Sequence, residues 1–272
     1  RSERLAADGI TASLFYLGEY VTDPDVVQTT VDRLAEVVDG LAGRGLDVAV
    51  SVDPTQIGLM IDPDLAAHHA TALAQRVRDA VGTPRHGRDA MMIDMEDAGV
   101  TAFTLDLHRR LADQGLPVGV TLQSYLHRSA ADLRDLVARG AWVRLVKGAF
   151  AEPASTAARG RADLDSRFRQ AIAVTLSPAA LASGVYPSFG THDHRAIAEV
   201  AVLAEVNGWA RDGYEIEILY GVRSDLQRRL VAQGHRVRVY LPFGADWFPY
   251  SIRRVGESPR NLRFAAAAVT RG

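Results

Sequence analysis

Short apolar runs alternate along the chain with longer stretches in which apolar residues recur at helical spacing. Runs of this length are typical of buried parallel strands, and the stretches between them are typical of amphipathic helices. The runs occupy residues 13–17 (an irregular one), 46–52, 91–94, 116–122, 141–146, 186–189, 214–219 and 236–240. Eight strands that alternate with helices predict repeated β-α units.

Glycines and capping residues mark where the predicted helices begin and end. A glycine precedes several strands and is interpreted as a helix C-cap; these glycines are Gly45, Gly115, Gly140, Gly213 and Gly234. The best-marked helices cover residues 25–41, after Thr22-Asp23-Pro24, and 63–81, after Asp62. Two more are predicted over 191–206, with Thr191 as a possible cap, and over 224–232.

This pattern predicts an α/β fold, a (β/α)8 barrel that forms a single domain over residues 1–272. The length of 272 residues suits one such barrel. A doubly wound dinucleotide-binding sheet fits less well, because no glycine-rich fingerprint follows the first strand. The aromatic residues from Tyr240 to Tyr250 suggest that the last helix folds over the carboxyl-terminal mouth as a lid.

Composition narrows the functional classes. The net charge of −2 gives no general attraction to nucleic acid or to an anionic membrane. The chain has no cysteine, which excludes disulfides and thiolate metal sites and fits a reducing cytoplasm. No apolar run reaches the roughly 18–20 residues of a transmembrane helix. We therefore expect a cytoplasmic protein whose partner is a small molecule, with at most peripheral membrane contact.

Polar residues gather where the strands end, which is where barrel enzymes carry their chemistry. Arg144 and Lys147 place positive charge there, either as an ion pair at the surface or as a site for an anion or a reduced flavin. The sequence Thr191-His192-Asp193-His194 offers a helix start that could receive a diphosphate. Metal ligation by this segment is the weaker interpretation, because no partner with ligand spacing is evident.

The segment from Tyr250 to Glu257 has a second arrangement of interest. If it is helical, Tyr250, Arg253, Arg254 and Glu257 share one face. Two arginines on such a face match a carboxylate, although a solvated helix with an Arg–Glu pair is the default interpretation of this segment alone.

Taken in order, these segments resemble the proline dehydrogenases, including the corresponding part of the bifunctional proline-utilisation flavoproteins. The resemblance is carried by VRLVKGA at 143–149, GTHD at 190–193, EIEILYG at 215–221, RVRVYLPFG at 236–244 and YSIRRVGE at 250–257. It covers most of the chain and is strongest from about 140 to 264. Each segment alone is weakly specific, but the ordered set is quite specific.

The resemblance implies a distorted (β/α)8 barrel with non-covalent FAD at its mouth. It implies oxidation of the C–N bond of L-proline to Δ1-pyrroline-5-carboxylate, by hydride transfer to flavin N5, with a quinone or another acceptor taking the electrons. The residues implied near FAD are Gln123, Arg144, Val146, Lys147, Gly148, Ala149, Thr191, His192, Asp193, Glu217 and Glu257. Those implied for the substrate are Asp53, Asp94, Phe150, Leu219, Tyr240, Tyr250, Arg253 and Arg254, with Asp94, Tyr240, Arg253 and Arg254 as the catalytic group. No metal is implied.

Three positions depart from the family pattern. Asp53 stands where a Lys is usual, Phe150 where a Tyr is frequent, and Glu217 where a Gln is common. In one interpretation the protein still oxidises proline; in the other the more acidic pocket serves a different cyclic imino acid, a secondary amine or a hydrazine. A metal-dependent lyase or aldolase using Asp94, Glu96 and His192, and a non-catalytic binding barrel, are the rival classes.

Overall fold

The computed structural model describes residues 1–244 and shows a closed barrel of eight parallel strands. The strands are β1 Thr11–Tyr16, β2 Ala49–Val52, β3 Ala90–Ile93, β4 Val118–Gln123, β5 Trp142–Val146, β6 Tyr186–Gly190, β7 Glu215–Leu219 and β8 Arg236–Phe243. They pair in sequence order, and β1 closes the barrel against β8 from Thr11 with Arg238 to Tyr16 with Phe243. The predicted fold class is confirmed for this part of the chain. The last helix proposed over the mouth lies outside the described residues.

Helices follow the strands and form the outer layer. Within residues 1–244 they are α1 Ser2–Ala7, α2 Pro24–Ala42, α3 Pro63–Val81, α4 Thr101–Asp113, α5 Ser129–Ala138, α6 Arg161–Thr175, α7 Pro178–Ser183, α8 His194–Val206 and α9 Ser224–Ala232. Aliphatic side chains of the strands pack outward against them, for example Val143 and Leu145 of β5 with Phe168 of α6. No helix in this part combines the length and apolar character needed to cross a bilayer.

Helix ends follow the sequence signals closely. Asp23 and Asp62 cap α2 and α3, as predicted, each accepting a hydrogen bond from the backbone N–H two residues later. Four predicted glycine caps have positive φ, namely Gly45, Gly115, Gly140 and Gly234. After Gly45, for example, Leu46 N–H bonds to the carbonyl of Leu41, which ends the helix.

Two predicted capping residues were wrong. Gly213 lacks a positive φ; Gly208, with φ +77°, ends α8 instead, and Trp209 N–H bonds to Ala204 O. Thr191 does not cap α8, because the backbone stays extended to Asp193, whose carboxylate accepts from Arg195 N–H at 3.0 Å. The helix therefore begins at His194 rather than at residue 191.

The ends of two strands show why the observed bounds differ from the sequence prediction. β2 begins at Ala49 instead of residue 46, because Leu46 N–H closes the end of α2 and Val48 N–H donates to the Asp89 carboxylate at 2.9 Å. β8 continues to Phe243, beyond residue 240, because it stays paired with β1 to the end of that strand.

The barrel interior is polar and charged. Its lower layer centres on Arg238, which is fully buried, donates to Glu215 Oε1 at 2.8 Å and lies over the Trp142 ring. Ser188 bridges Trp142 and the same Glu215 oxygen. These contacts fill the base of the barrel interior, and a cavity opens toward the carboxyl ends of the strands.

Candidate active site

A cavity of about 430 Å³ opens at the carboxyl ends of the strands. This volume lies in the range of roughly 300–1,000 Å³ that is usual for small-molecule sites. The predicted site residues that line it are Asp53, Asp94, Gln123, Arg144, Val146, Lys147, Gly148, Ala149, Phe150, Thr191, His192, Asp193, Glu217, Leu219 and Tyr240. Every site residue predicted within residues 1–244 thus borders one cavity. Tyr250, Arg253, Arg254 and Glu257 lie outside the described residues.

Arg144 of β5 forms the centre of the cavity floor and is 4% exposed. Its Nε donates to Glu217 Oε2 at 2.7 Å, and its Nη1 donates to Asp94 Oδ1 at 2.5 Å. Nη1 and Nη2 also donate to the hydroxyls of Ser51 and Ser13. Burial alone would lower the pKa of the guanidinium, but the two carboxylates raise that pKa above its usual value. The charge of Arg144 is therefore fixed and matched by two acids.

Asp94 is held by three donors. Besides Arg144, the Thr121 hydroxyl donates to Oδ1 at 2.6 Å and the Tyr240 hydroxyl donates to Oδ2 at 2.9 Å. The Tyr240 ring lies over the Arg144 guanidinium at 5.1 Å and packs on Phe15 at 5.6 Å. These contacts fix the orientation of the carboxylate, which follows β3, and of the phenol, which lies on β8.

Glu217 lies on β7, where side chains alternate between the barrel interior and the helices. It is 3% exposed, and one of its oxygens, Oε2, accepts from Arg144. Its other oxygen, Oε1, is buried without a hydrogen-bond partner. Burial raises the pKa of Glu217, and the neighbouring Arg144 opposes that rise.

Lys147 lies just beyond β5 at the cavity rim. Its ammonium donates to Asp165 of α6 at 2.6 Å and to Asp193, the cap of α8, at 3.2 Å. Burial raises the pKa of Asp193, but the Arg195 N–H and the Lys147 ammonium outweigh it and lower that pKa. Lys147 thus joins two helices through carboxylates.

A chain of hydrogen bonds runs along the rim from β2 to β5. Thr55 donates through its hydroxyl and its backbone N–H to the two oxygens of Glu96. Gln123 donates to the Glu96 carbonyl at 2.7 Å and accepts from Ala149 N–H at 3.2 Å. Burial raises the pKa of Glu96 to about 7, although the Thr55 donors favour its ionised form.

Gly148 explains how the backbone turns at this rim. Its φ is +125°, a region that residues with a Cβ rarely adopt. A Cβ at this position would also overlap the ring of Tyr125, which lies against it. The tight turn brings Ala149 to Gln123 and depends on the absence of a side chain.

The sequence analysis missed several cavity residues. Phe15 lies in the irregular first strand and Glu19 follows it, and Met95, Thr121, Gly190 and Ile218 lie beside predicted residues. Thr121 pairs in register with Arg144, so the predicted strand ends contained the signal that would have found it. Glu96 was considered only as a metal ligand.

The side chains proposed as ligands of a metal-dependent lyase are hydrogen-bonded to other groups of the same chain. Glu96 accepts from Thr55, and His192 Nε2 accepts from Leu219 N–H at 3.1 Å. Asp94 accepts from its three donors. Within residues 1–244, no group of three or more His, Asp or Glu side chains is arranged to hold a metal.

Comparison with known proteins identifies the family. The family model for proline dehydrogenase matches residues 1–267. The chain belongs to the proline dehydrogenase family. Its members are oxidoreductases that act on CH–NH groups, and this chain is an enzyme of that class.

Two curated proline dehydrogenases match this chain over almost its full length. It is 34% identical over 275 residues to proline dehydrogenase of Deinococcus radiodurans, covering 99% of this chain and 85% of the relative. It is 33% identical over 268 residues to proline dehydrogenase 2 of Bacillus subtilis, covering 98% and 84%.

Solved structures share the same barrel. Proline utilization A of Bdellovibrio bacteriovorus, inactivated by N-propargylglycine, aligns with a TM-score of 0.78 at 23% identity. The alignment covers 94% of this chain and 31% of that protein. Proline utilization A of Corynebacterium freiburgense aligns with a TM-score of 0.78 at 21% identity, covering 99% and 31%. This family member therefore spans about a third of the length of those proteins, and the likeness concerns the fold.

Proposed function

We propose that this enzyme oxidises L-proline to Δ1-pyrroline-5-carboxylate with non-covalent FAD. The match of the family model over residues 1–267 carries the proposal. The cavity supports it, because the residues that the resemblance implied within residues 1–244 all border that one space.

The residues at one side of the cavity fit a flavin. They offer the amide of Gln123, the hydroxyl of Thr191, the ammonium of Lys147 and the imidazole of His192, a mixed donor and acceptor set that suits the ring edge and ribityl chain. The start of α8 directly follows the cavity-lining residues Thr191, His192 and Asp193, and a helix N-terminus favours an anion such as a diphosphate. Gly148 keeps the backbone at the rim free of a side chain. We propose that Val146, Ala149, Asp193, Glu217 and Glu257 complete the cofactor site.

FAD, when bound, would supply the two-electron oxidant that turns the C–N bond into C=N, with the second hydrogen leaving the ring nitrogen as a proton. The chain's residues position the substrate and exclude water. In this proposal Asp94, Tyr240 and Leu219 border the ring, with Asp53 and Phe150 nearby. Arg253 and Arg254 bind the carboxylate, and Tyr250 covers it.

Electrons then pass to an acceptor outside the protein, for which we propose a quinone. A quinone is held in a membrane, so we propose a cytoplasmic enzyme that touches the membrane surface without crossing it. Reduction of a soluble quinone analogue during proline turnover measures this part of the proposal directly.

An absorption spectrum tests the proposed function. The purified protein, or the protein after incubation with FAD and removal of excess cofactor, is expected to show bound flavin. Anaerobic addition of L-proline is expected to bleach the visible bands. A protein that retains no FAD, remains colourless and gains activity with a divalent metal would establish the lyase class instead.

A further inference from the structure

Within residues 1–244, the cavity lining carries more carboxylates than cations. Six carboxylates and two cations, Arg144 and Lys147, line it within residues 1–244. Each of these two cations already contacts two carboxylates: Arg144 contacts Asp94 and Glu217, and Lys147 contacts Asp165 and Asp193. The described part of the cavity therefore favours a positively charged ligand group over a negative one.

Glu217 supplies the particular atom that such a group would meet. Its Oε1 is buried and has no hydrogen-bond partner, although the residue lines the cavity. Arg144 does not fill this need, because its Nε is directed to Glu217 Oε2, and its other nitrogens donate to Asp94, Ser51 and Ser13. A buried carboxylate oxygen without a donor is unfavourable, and a ligand N–H would satisfy it.

The other carboxylate of the cavity floor, that of Asp94, has no oxygen that lacks a donor. Asp94 accepts from Arg144, Thr121 and Tyr240, so both of its oxygens already have donors. Asp53, 7% exposed at the end of β2, adds negative charge to the wall. Glu217 thus combines burial, a place in the cavity lining and a carboxylate oxygen, Oε1, that lacks a hydrogen-bond donor.

We propose that Glu217, besides its place in the proposed cofactor site, determines substrate specificity through Oε1, and that the preferred substrate is a proline-like cyclic secondary amine carrying a second, basic amino group, which donates to Glu217 Oε1. This inference rests on the proposed function, because it concerns the substrate of the same oxidation. Burial raises the pKa of Glu217, and a ligand cation beside Oε1 would oppose that rise as Arg144 does.

The test compares 4-aminoproline with L-proline in anaerobic flavin reduction, using both ring diastereomers of the amino compound. We expect kcat/KM for one diastereomer to exceed that for proline by roughly tenfold or more in the wild-type enzyme, since a charge-assisted hydrogen bond is at stake. Glu217→Gln is expected to reduce this preference by roughly tenfold, because the amide carries no charge. Glu217→Asp, which retains the charge, is expected to keep part of it.

The ratio of the two substrates separates recognition from general damage. A merely structural role for Glu217 would lower kcat/KM for both substrates alike and leave the ratio unchanged. Glu205→Gln, on the exposed side of α8, is the control and is expected to change neither value.

Three outcomes overturn the inference. Flavin reduction by proline with no preference for either aminoproline refutes it while leaving the proposed function intact, and so does a preference that Glu217→Gln leaves unchanged. Failure of every substrate to bleach bound FAD refutes the proposed function and this inference with it. If Glu217→Gln does not fold, Glu217→Asp decides, because an aminoproline preference that this variant leaves unchanged refutes the inference.

Discussion

Glu96 lies at the cavity rim beyond β3 and is 2% exposed. Both of its carboxylate oxygens accept from Thr55, and its carbonyl accepts from Gln123. Burial raises its pKa from 4.5 to about 7. We predict that Glu96→Gln makes the protein more stable than the wild type above pH 7, because the amide imitates the protonated acid: it can donate to the Thr55 hydroxyl and accept from the Thr55 N–H.

The sign follows from proton binding. Between pH 4.5 and pH 7 the folded state holds a proton on Glu96 that the unfolded state has released, so the wild-type free energy of unfolding falls as pH rises through this window. The gap in unfolding free energy between Glu96→Gln and the wild type should therefore widen by about 2.5 kcal/mol from pH 5 to pH 8. Above pH 8 the gap should stay constant.

Urea unfolding of both proteins at pH 5, 6, 7 and 8 measures this gap. Glu205→Gln, an exposed change of the same chemistry, should stay within about 0.5 kcal/mol of the wild type at every pH. The comparison between proteins matters more than either curve, because other groups titrate in the same range. A gap that does not depend on pH would refute the assigned role of Glu96.

Three further predictions follow from single contacts. Gly148→Ala should lower stability by about 2 kcal/mol or more, measured by calorimetric unfolding, because φ is +125° and the new methyl group meets Tyr125. His108 is buried with neither ring nitrogen bonded, and burial lowers its pKa to about 4, so wild-type stability is lost as pH falls from 6.5 toward 4. As pH falls from 8 to 5, the free energy of unfolding of His108→Leu should therefore rise by about 2 kcal/mol relative to that of the wild type, measured by denaturant titration. Tyr240→Phe removes the donor to Asp94 Oδ2 and should lower kcat/KM for the amine substrate about tenfold, whereas Tyr220→Phe, at an exposed site, should not.

The order of elements could be predicted because its causes are local. The apolar run around Val143 forms a strand whatever its neighbours do, and Gly45 ends a helix by its own backbone freedom. The same reasoning failed at Gly213, because a glycine signal does not say which of two nearby glycines adopts the positive φ. It failed at Thr191 because Asp193, two residues on, is also a good cap.

The strand-end residues that border the cavity could largely be predicted, but their charge balance could not. Barrel geometry and the family resemblance selected strand-end residues, and those within residues 1–244 meet in one cavity. The partners of the cations are set by contacts between distant segments: Arg144 meets Glu217 across 73 positions, and Lys147 meets Asp193 across 46. No local pattern specifies such pairs, and Asp165 of α6 had no signal linking it to Lys147. The unpartnered oxygen of Glu217 is likewise visible only when every neighbouring donor has been placed.

The central claim is that this enzyme removes a hydride from the ring carbon beside the nitrogen of a proline-type substrate and transfers it to bound FAD. Stopped-flow bleaching of the flavin by L-proline deuterated at C5 tests it most directly, with proline deuterated at C2 as the control. The account predicts slower bleaching with the C5-deuterated substrate and an unchanged rate with the C2-deuterated one. Equal rates for both, or slowing confined to the C2-deuterated substrate, would contradict it.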